Sequence, residues 1–320
     1  MAAIISREAV AIVATTTLVT GAILWWLRHK AKKFVPVARV KKIFIYPVKS
    51  LQGIQVPYVH CISEGPTFED LRDRCMMIVE DDFFVSQREE PSLAVVRLAY
   101  KDGTINVSAE GMPDISFPAL DPDACSKERK TVRVRKNSYV AVDVSTEASA
   151  WFRQYLNKDN IHLVRILQGE CSRPKGSTTP IVFQDSASFH VVSEASLRDL
   201  KSRIPDEPIS ERNFRPNFFI EGSDAYAEDT WSYVQLGDAI IDYKERCPRC
   251  RLTTVNPDTG IRTDKQPLAT LRTYRTDRSE EGKEKYALNP LFGVRYFLFR
   301  EGMVRVGDQV GAVVSSKPLV

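Results

Sequence analysis

The sequence predicts a mainly β chain with a few helices, an α+β protein whose sheets curl into barrel-like form behind one N-terminal transmembrane helix. Three observations carry this. Runs of β-branched and aromatic residues bounded by turn residues recur along most of the chain, only two stretches switch to helical period, and an uncharged run opens the sequence.

The uncharged run, Ala9 to Leu27, reads AVAIVATTTLVTGAILWWL. At 1.5 Å per residue it reaches about 28 Å, enough to cross a hydrocarbon core. Trp25 and Trp26 stand where an interfacial aromatic belt belongs, and RHKAKK follows at once, which keeps the bulk of the chain cytosolic by the positive-inside rule. A cleaved signal peptide fits less well, because it wants basic residues before the apolar run and an A-x-A-like site after it. Residues 1–33 are therefore read as a membrane anchor with its apolar span at 9–27.

The β-rich body follows. RVKKIFIYPVKS, RDRCMMIVEDD and LAVVRLAYKDGTINVSAEG read as a meander rather than a βαβ series, with Asp102 and Gly103 supplying the positive φ of a tight hairpin. TVRVRKNSYVAVDVS adds another hairpin. In STEASAWFRQYLNK, Ala148, Trp151, Phe152, Tyr155 and Leu156 form one apolar helical face behind a Ser or Thr cap. A second helix is expected at SEASLRDLKSRI, capped by Ser193 with Leu197, Leu200 and Ile204 on one face. YVQLGDAIIDYKE and GMVRVGDQVGAVV each place Gly-Asp between β-branched runs, the pattern of hairpins that close a barrel-like sheet. The loop-rich QGECSRPKGSTTP divides a domain at 38–167 from one at 168–320.

A chain of 320 residues with net charge +4 has little electrostatic bias once its first 33 residues are set aside. Arg28, Lys30, Lys32 and Lys33 supply four positive charges, so the remainder is near neutral and no nucleic-acid partner is expected. The charged runs SKERKTVRVRK and DRSEEGKEK are read as solvated surface. Cys61, Cys75, Cys125 and Cys171 lack metal-ligand or disulfide-framework spacing, which leaves Cys247 and Cys250 in YKERCPRCRLTTVNPDTG. A zinc site lacks further ligands, since the nearest histidine is His190. A thioredoxin-type dithiol opens a helix, whereas RLTTVNPDTG is β-branched and then turn. Arg246, Arg249 and Arg251 flank the sulfurs, and positive charge favours a thiolate, a soft metal ligand as well as a nucleophile.

YPVKS at 46–50, LRDR at 71–74, SEASL at 193–197, NFRPN at 213–217, YAEDTW at 226–231 and CPRCRLTTVNPDTG at 247–260 together resemble the MOSC domain proteins. Within these, the chain is most similar to the membrane-anchored mitochondrial amidoxime-reducing components, from about Val40 to the C-terminus. The resemblance implies a MOSC β-barrel with a companion N-terminal β-rich domain and a molybdenum–molybdopterin cofactor. It implies Cys250 as the molybdenum ligand, with Lys49, Ser50, Arg74, Ser186, Arg215, Pro248 and Arg249 around the cofactor, Cys247 as a supporting thiol and Asp185 as a candidate for proton delivery. Ala187 and Pro248 depart from serines common in the family at those positions.

The same resemblance implies reduction of N-hydroxylated compounds (amidoximes, hydroxylamines, hydroxamic acids), with electrons from NADH through NADH-cytochrome b5 reductase and cytochrome b5. No G-x-G-x-x-G nucleotide motif is present, in keeping with an external electron source. The mitochondrial outer membrane is the expected site, with the endoplasmic reticulum and peroxisome as alternatives. Two other functions stay open: a sulfur carrier or cofactor-handling protein with a persulfide on Cys250, and a non-catalytic tethered binding module.

Overall fold

The computed structural model describes residues 33–135, 137–167, 169–171 and 180–320. The expected span Ala9–Leu27 and most of the expected interdomain connection lie outside the described residues. Among the described residues no helix is long and apolar enough to cross a membrane.

Two closed barrels organise the chain, so most strands have no free edge. In the larger, Val35–Ile45, Phe218–Glu221, Phe189–Ser193, Leu291–Arg300, Ala239–Pro248, Trp231–Leu236 and Gln309–Val314 pair in that order, and the last pairs back to the first. In the smaller, Met76–Glu80, Phe83–Phe84, Arg129–Val134, Asn137–Asp143 and Ile161–Ile166 close in the same way. Val48–Lys49 lies parallel to Met76–Met77 on the flank of the smaller barrel. Apolar side chains fill both interiors, among them Ile43, Val234, Ile241 and Tyr296 in the larger and Ile78, Val132, Ala141 and Leu163 in the smaller. Val35–Val320 forms one unit.

The expected hairpins form at Lys101–Thr104, where Asp102 and Gly103 have φ of 48° and 77°, and at Arg129–Asp143 and Trp231–Pro248. GMVRVGDQVGAVV does not. Gly302–Arg305 pairs with Tyr58–Ile62, while Gln309–Val314 joins the larger barrel, so the Gly307-Asp308 turn passes the chain between sheets. The meander is also incomplete: the opening strand Val35–Ile45 is a stave between two late strands, and Leu93 to Val95, read as strand, belong to the 3-10 turn Pro91–Val95. Among the described residues there is also a βαβ unit. Phe189–Ser193 and Phe218–Glu221 run parallel, with the helix Glu194–Ser202 between them in sequence.

Both expected helices form at their predicted caps. Ser145 Oγ accepts from Ala148 N at 3.0 Å ahead of Thr146–Leu156, and Ser193 Oγ accepts from Ser196 N at 3.1 Å ahead of Glu194–Ser202. Two short helices, Leu268–Tyr274 and Glu280–Tyr286, were not expected; the second starts within the run read as solvated surface.

YAEDTW has a structural use of its own. Tyr226 adopts a left-handed φ of 64°, and the following 3-10 turn carries Glu228 and Asp229 into the core at 0 % and 2 % exposure. Glu228 Oε1 accepts from Ser196 Oγ at 2.7 Å and Asp229 pairs with Arg275 at 2.5 Å, but Glu228 Oε2 has no partner. Burial, with the Asp229 charge beside it, pushes the Glu228 carboxyl up to about 7. The folded state thus binds a proton that the unfolded chain releases nearer 4.5, and stability falls as pH rises from about 4.5 through 7. Urea unfolding at pH 5 and pH 8 checks this: Glu228→Gln is expected to remove a decline of up to about 3 kcal/mol between the two, and an unchanged decline contradicts it.

Candidate functional site

A cavity of about 250 Å³ opens where the two barrels meet. The smaller barrel and its loops contribute Lys49, Ser50, Arg74, Phe84, Arg88 and Arg135. The larger contributes Asp185, His190, Arg215, Asn217, Arg295 and the whole Cys247–Cys250 stretch. Of the residues expected at a site, Lys49, Ser50, Arg74, Asp185, Arg215, Pro248, Arg249 and Cys250 line this cavity. Ser186 does not: its hydroxyl donates to Glu245 Oε1 at 2.6 Å and accepts from Arg295 Nη1 at 2.8 Å, and Ala187 takes the lining position.

Backbone strain concentrates here. Ser50, Arg74, Arg135 and Arg215 all line the cavity with φ of 71°, 51°, 56° and 55°, a region that L-residues enter at a cost. The cost is met by buried polar contacts. Asp73, 3 % exposed, accepts from Tyr46 N at 2.9 Å and from Asn217 Nδ2 at 3.0 Å, and pairs with Arg74. Arg74 Nη2 reaches Arg215 O at 3.3 Å, and both guanidinium groups lie over the Tyr46 ring, at 4.7 and 4.3 Å. Arg215 Nη1 donates to Leu51 O at 2.5 Å, while its buried Nη2 has no partner.

Asp185 anchors the opposite wall. Its oxygens stand 2.8 Å from Lys49 Nζ, 3.7 Å from Arg135 and 3.9 Å from Arg295. Burial raises this carboxyl, but the charges on Lys49, Arg135 and Arg295 outweigh it and hold the group well below the usual carboxylate range. Burial, partly offset by Asp185, lowers the Lys49 ammonium to about 8. Asp185 is thus a fixed anion, and Lys49 is brought toward neutral pH.

Arg249, 8 % exposed, uses its donors inward: Nε reaches Phe292 O at 2.8 Å, Nη1 reaches Phe214 O at 3.1 Å, and Nη2 contacts His190 Nε2 at 2.6 Å. His190 Nδ1 lies 3.3 Å from Arg215 O. Burial and the charges on Arg249 and Arg295 push its pKa well down, so His190 is neutral, accepting from Arg249 and donating to the carbonyl. Arg249 N–H donates to Pro290 O at 2.8 Å, which fixes the backbone one residue before Cys250.

The strand Ala239–Pro248 ends between the two cysteines, and a single 3-10 turn, Arg251–Thr254, follows Cys250. Cys247 is buried and Cys250 partly exposed. The flanking arginines do not supply charge at Cys250 as a group. Arg246 pairs with Asp277, Arg251 is exposed, and the donor to Cys250 Sγ is Arg88 Nε, at 3.2 Å. Among the described residues no cluster of three His, Cys, Asp or Glu side chains could hold a metal by itself.

Several lining residues escaped the sequence. Arg135 belongs to a run read as solvated surface, yet it faces Asp185. Asn217 ends the quoted NFRPN motif, so a signal for it existed; Arg88 and Arg295 carry none, since strands and turns far apart in sequence bring them in. Among the described residues, Lys49, Arg74, Arg88, Arg135, Arg215, Arg249 and Arg295 line the cavity with Asp185 and a partly exposed sulfur, and Arg74 and Arg295 are paired behind it with Asp73 and Glu245. With the unpartnered Arg215 Nη2, this donor set suits a polyanionic ligand that also brings a sulfur-seeking metal.

The comparisons agree along the chain. Residues 37–159 match the MOSC N-terminal beta barrel domain and residues 178–311 match the MOSC domain. Mitochondrial amidoxime reducing component 2 of Macaca fascicularis is 34 % identical over 317 residues, covering 95 % of this chain and 93 % of the relative. The same component of Homo sapiens is 34 % identical with the same coverage, and human mitochondrial amidoxime-reducing component 1 is 33 % identical over 94 % of this chain and 91 % of its own. With both domain models matched and identity sustained over nearly the whole length, the chain belongs to the MOSC-domain family of the mitochondrial amidoxime-reducing components.

Proposed function

We propose that the cavity between the barrels holds a molybdenum–molybdopterin cofactor and that the protein reduces N-hydroxylated compounds such as amidoximes, hydroxylamines and hydroxamic acids. The observation that carries this is the convergence of seven cations on a cavity with a partly exposed cysteine sulfur. The cofactor, when bound, supplies the two-electron chemistry that takes oxygen from nitrogen.

The chain's own residues bind, orient and hold protons. Cys250 is the proposed metal ligand, and Cys247, buried behind it, supports the strand end. Lys49, Arg74 and Arg215 meet the anionic pterin and phosphate, with Ser50 as hydroxyl donor and Pro248 and the inward-bonded Arg249 as part of the wall. Reducing an N–OH group to N–H and water consumes two electrons and two protons. Lys49, held by Asp185 and lowered to about 8, can keep a proton at neutral pH and release it. Held ionised by the cations around it, Asp185 serves as the anion that holds Lys49 rather than as the proton donor. Ser186 acts on the wall from behind through Arg295.

Electrons are proposed to come from NADH through cytochrome b5 reductase and cytochrome b5. The domains are proposed at 38–167 and 168–320, with residues 1–33 anchoring the protein in the mitochondrial outer membrane, facing the cytosol; the word mitochondrial in the relatives' names supports that location.

Metal analysis of the purified protein tests the ligand assignment. Cys250→Ala is expected to lose bound molybdenum and, with cytochrome b5 and its reductase added, NADH-driven benzamidoxime reduction at least about tenfold, while Cys247→Ala keeps both; full metal in Cys250→Ala sinks the assignment. No molybdenum in the wild type favours the sulfur carrier or the binding module. Lys49 gives a pH test, since a protonated ammonium holds the cofactor's anionic groups better. Calorimetric binding of molybdopterin to the cofactor-free protein is expected to weaken as pH rises through about 8, with Lys49→Gln roughly tenfold weaker at pH 7 and flat across that range. A wild-type affinity that is constant from pH 6.5 to 9 contradicts it.

A further inference from the structure

Arg88 is the lining cation whose contact no part of the proposed reaction yet uses. It sits in a tight turn after the strand Phe83–Phe84, where Glu90 N–H donates to Ser86 O at 2.9 Å and Arg88 N–H donates to Ser86 Oγ at 3.2 Å. Neighbours pin that turn from both sides: Gln87 Nε2 donates to Ser50 O at 2.6 Å, Arg262 donates to the Arg88 carbonyl, and Lys158 holds Glu90 at 2.9 Å. From this mount the Arg88 side chain lines the cavity, and its Nε–H meets Cys250 Sγ at 3.2 Å. The two residues lie 162 positions apart, in segments attached to different barrels.

We infer that Arg88 is a positioning residue that sets the electron-donating strength of the Cys250 sulfur, and through it the reduction potential of the metal centre. The inference rests on the cofactor reading above. An N–H hydrogen bond to a ligand sulfur draws electron density from it, so the sulfur gives less to the metal and the electron-richer, reduced state is favoured. Geometry supports tuning over simple anion binding: the donor is the guanidinium Nε, aimed at the sulfur by a turn held at three points, not a mobile terminal group.

The test is an EPR-monitored redox titration of molybdenum in the holoprotein, for the wild type, Arg88→Gln and Arg88→Lys, with metal content measured in each. Arg88→Gln is expected to bind metal and to shift the oxidised-to-reduced ratio at a fixed potential about tenfold toward oxidised, a fall of about 59 mV for a one-electron step. Arg88→Lys, which keeps charge and a donor, is expected to recover part of that shift. A midpoint in Arg88→Gln equal to that of the wild type overturns the inference. So does loss of metal from both variants, because a donor that tunes the sulfur leaves ligation in place. A wild type without molybdenum overturns the cofactor reading itself, and this inference with it.

Discussion

Asp73 shares its two carboxylate oxygens among groups from three parts of the chain: the Tyr46 amide, the Asn217 side chain and the Arg74 guanidinium. Asn217 is wholly buried, and it also donates to Phe44 O at 3.2 Å and accepts from His190 N–H at 3.1 Å. This knot ties the opening strand and the segment leading to the smaller barrel to two staves of the larger one. It also fixes the two arginines that lie over the Tyr46 ring. Removing one partner of such a buried pair leaves an uncompensated charge, at about 3–5 kcal/mol.

Around the knot, the site runs against folding preferences. Cations crowd together, four residues accept left-handed backbone, and one guanidinium nitrogen stays buried without a partner. A folded core would not select these features for stability. They are consistent with a wall preorganised for an anionic group, whose binding relieves the repulsion and fills the missing contact. Asp185 shows the same logic in reverse: a carboxylate among cations, ionised by them, keeps Lys49 in place.

Local chemistry was legible in the sequence and long-range closure was not. The caps at Ser145 and Ser193 and the Asp102-Gly103 turn depend on a few neighbouring residues, and they formed as read. The Gly307-Asp308 turn reads like the Gly237-Asp238 hairpin turn, yet its two strands enter different sheets, because pairing is decided by partners hundreds of residues away. The site divides in the same way. Lys49, Arg74, Arg215 and Cys250 sit in family motifs, and all four line the cavity. Arg88 and Arg295 lie in ordinary turn and strand sequence, and Arg135 lies in a charged run whose exposure looks the same from sequence whether it faces bulk water or a cavity mouth. Ser186 was expected near the cofactor from its place after Asp185, but in the bend that brings Asp185 and Ala187 into the lining its hydroxyl turns to Glu245 instead.

The most direct measurement is an anomalous-scattering map of crystals of the purified holoprotein at the molybdenum edge. The account predicts one peak in the cavity between the barrels, bonded to Cys250 Sγ, with connected density running to Lys49, Arg74 and Arg215. A peak bonded to Cys247 instead, or molybdenum bound anywhere outside this cavity, would contradict it.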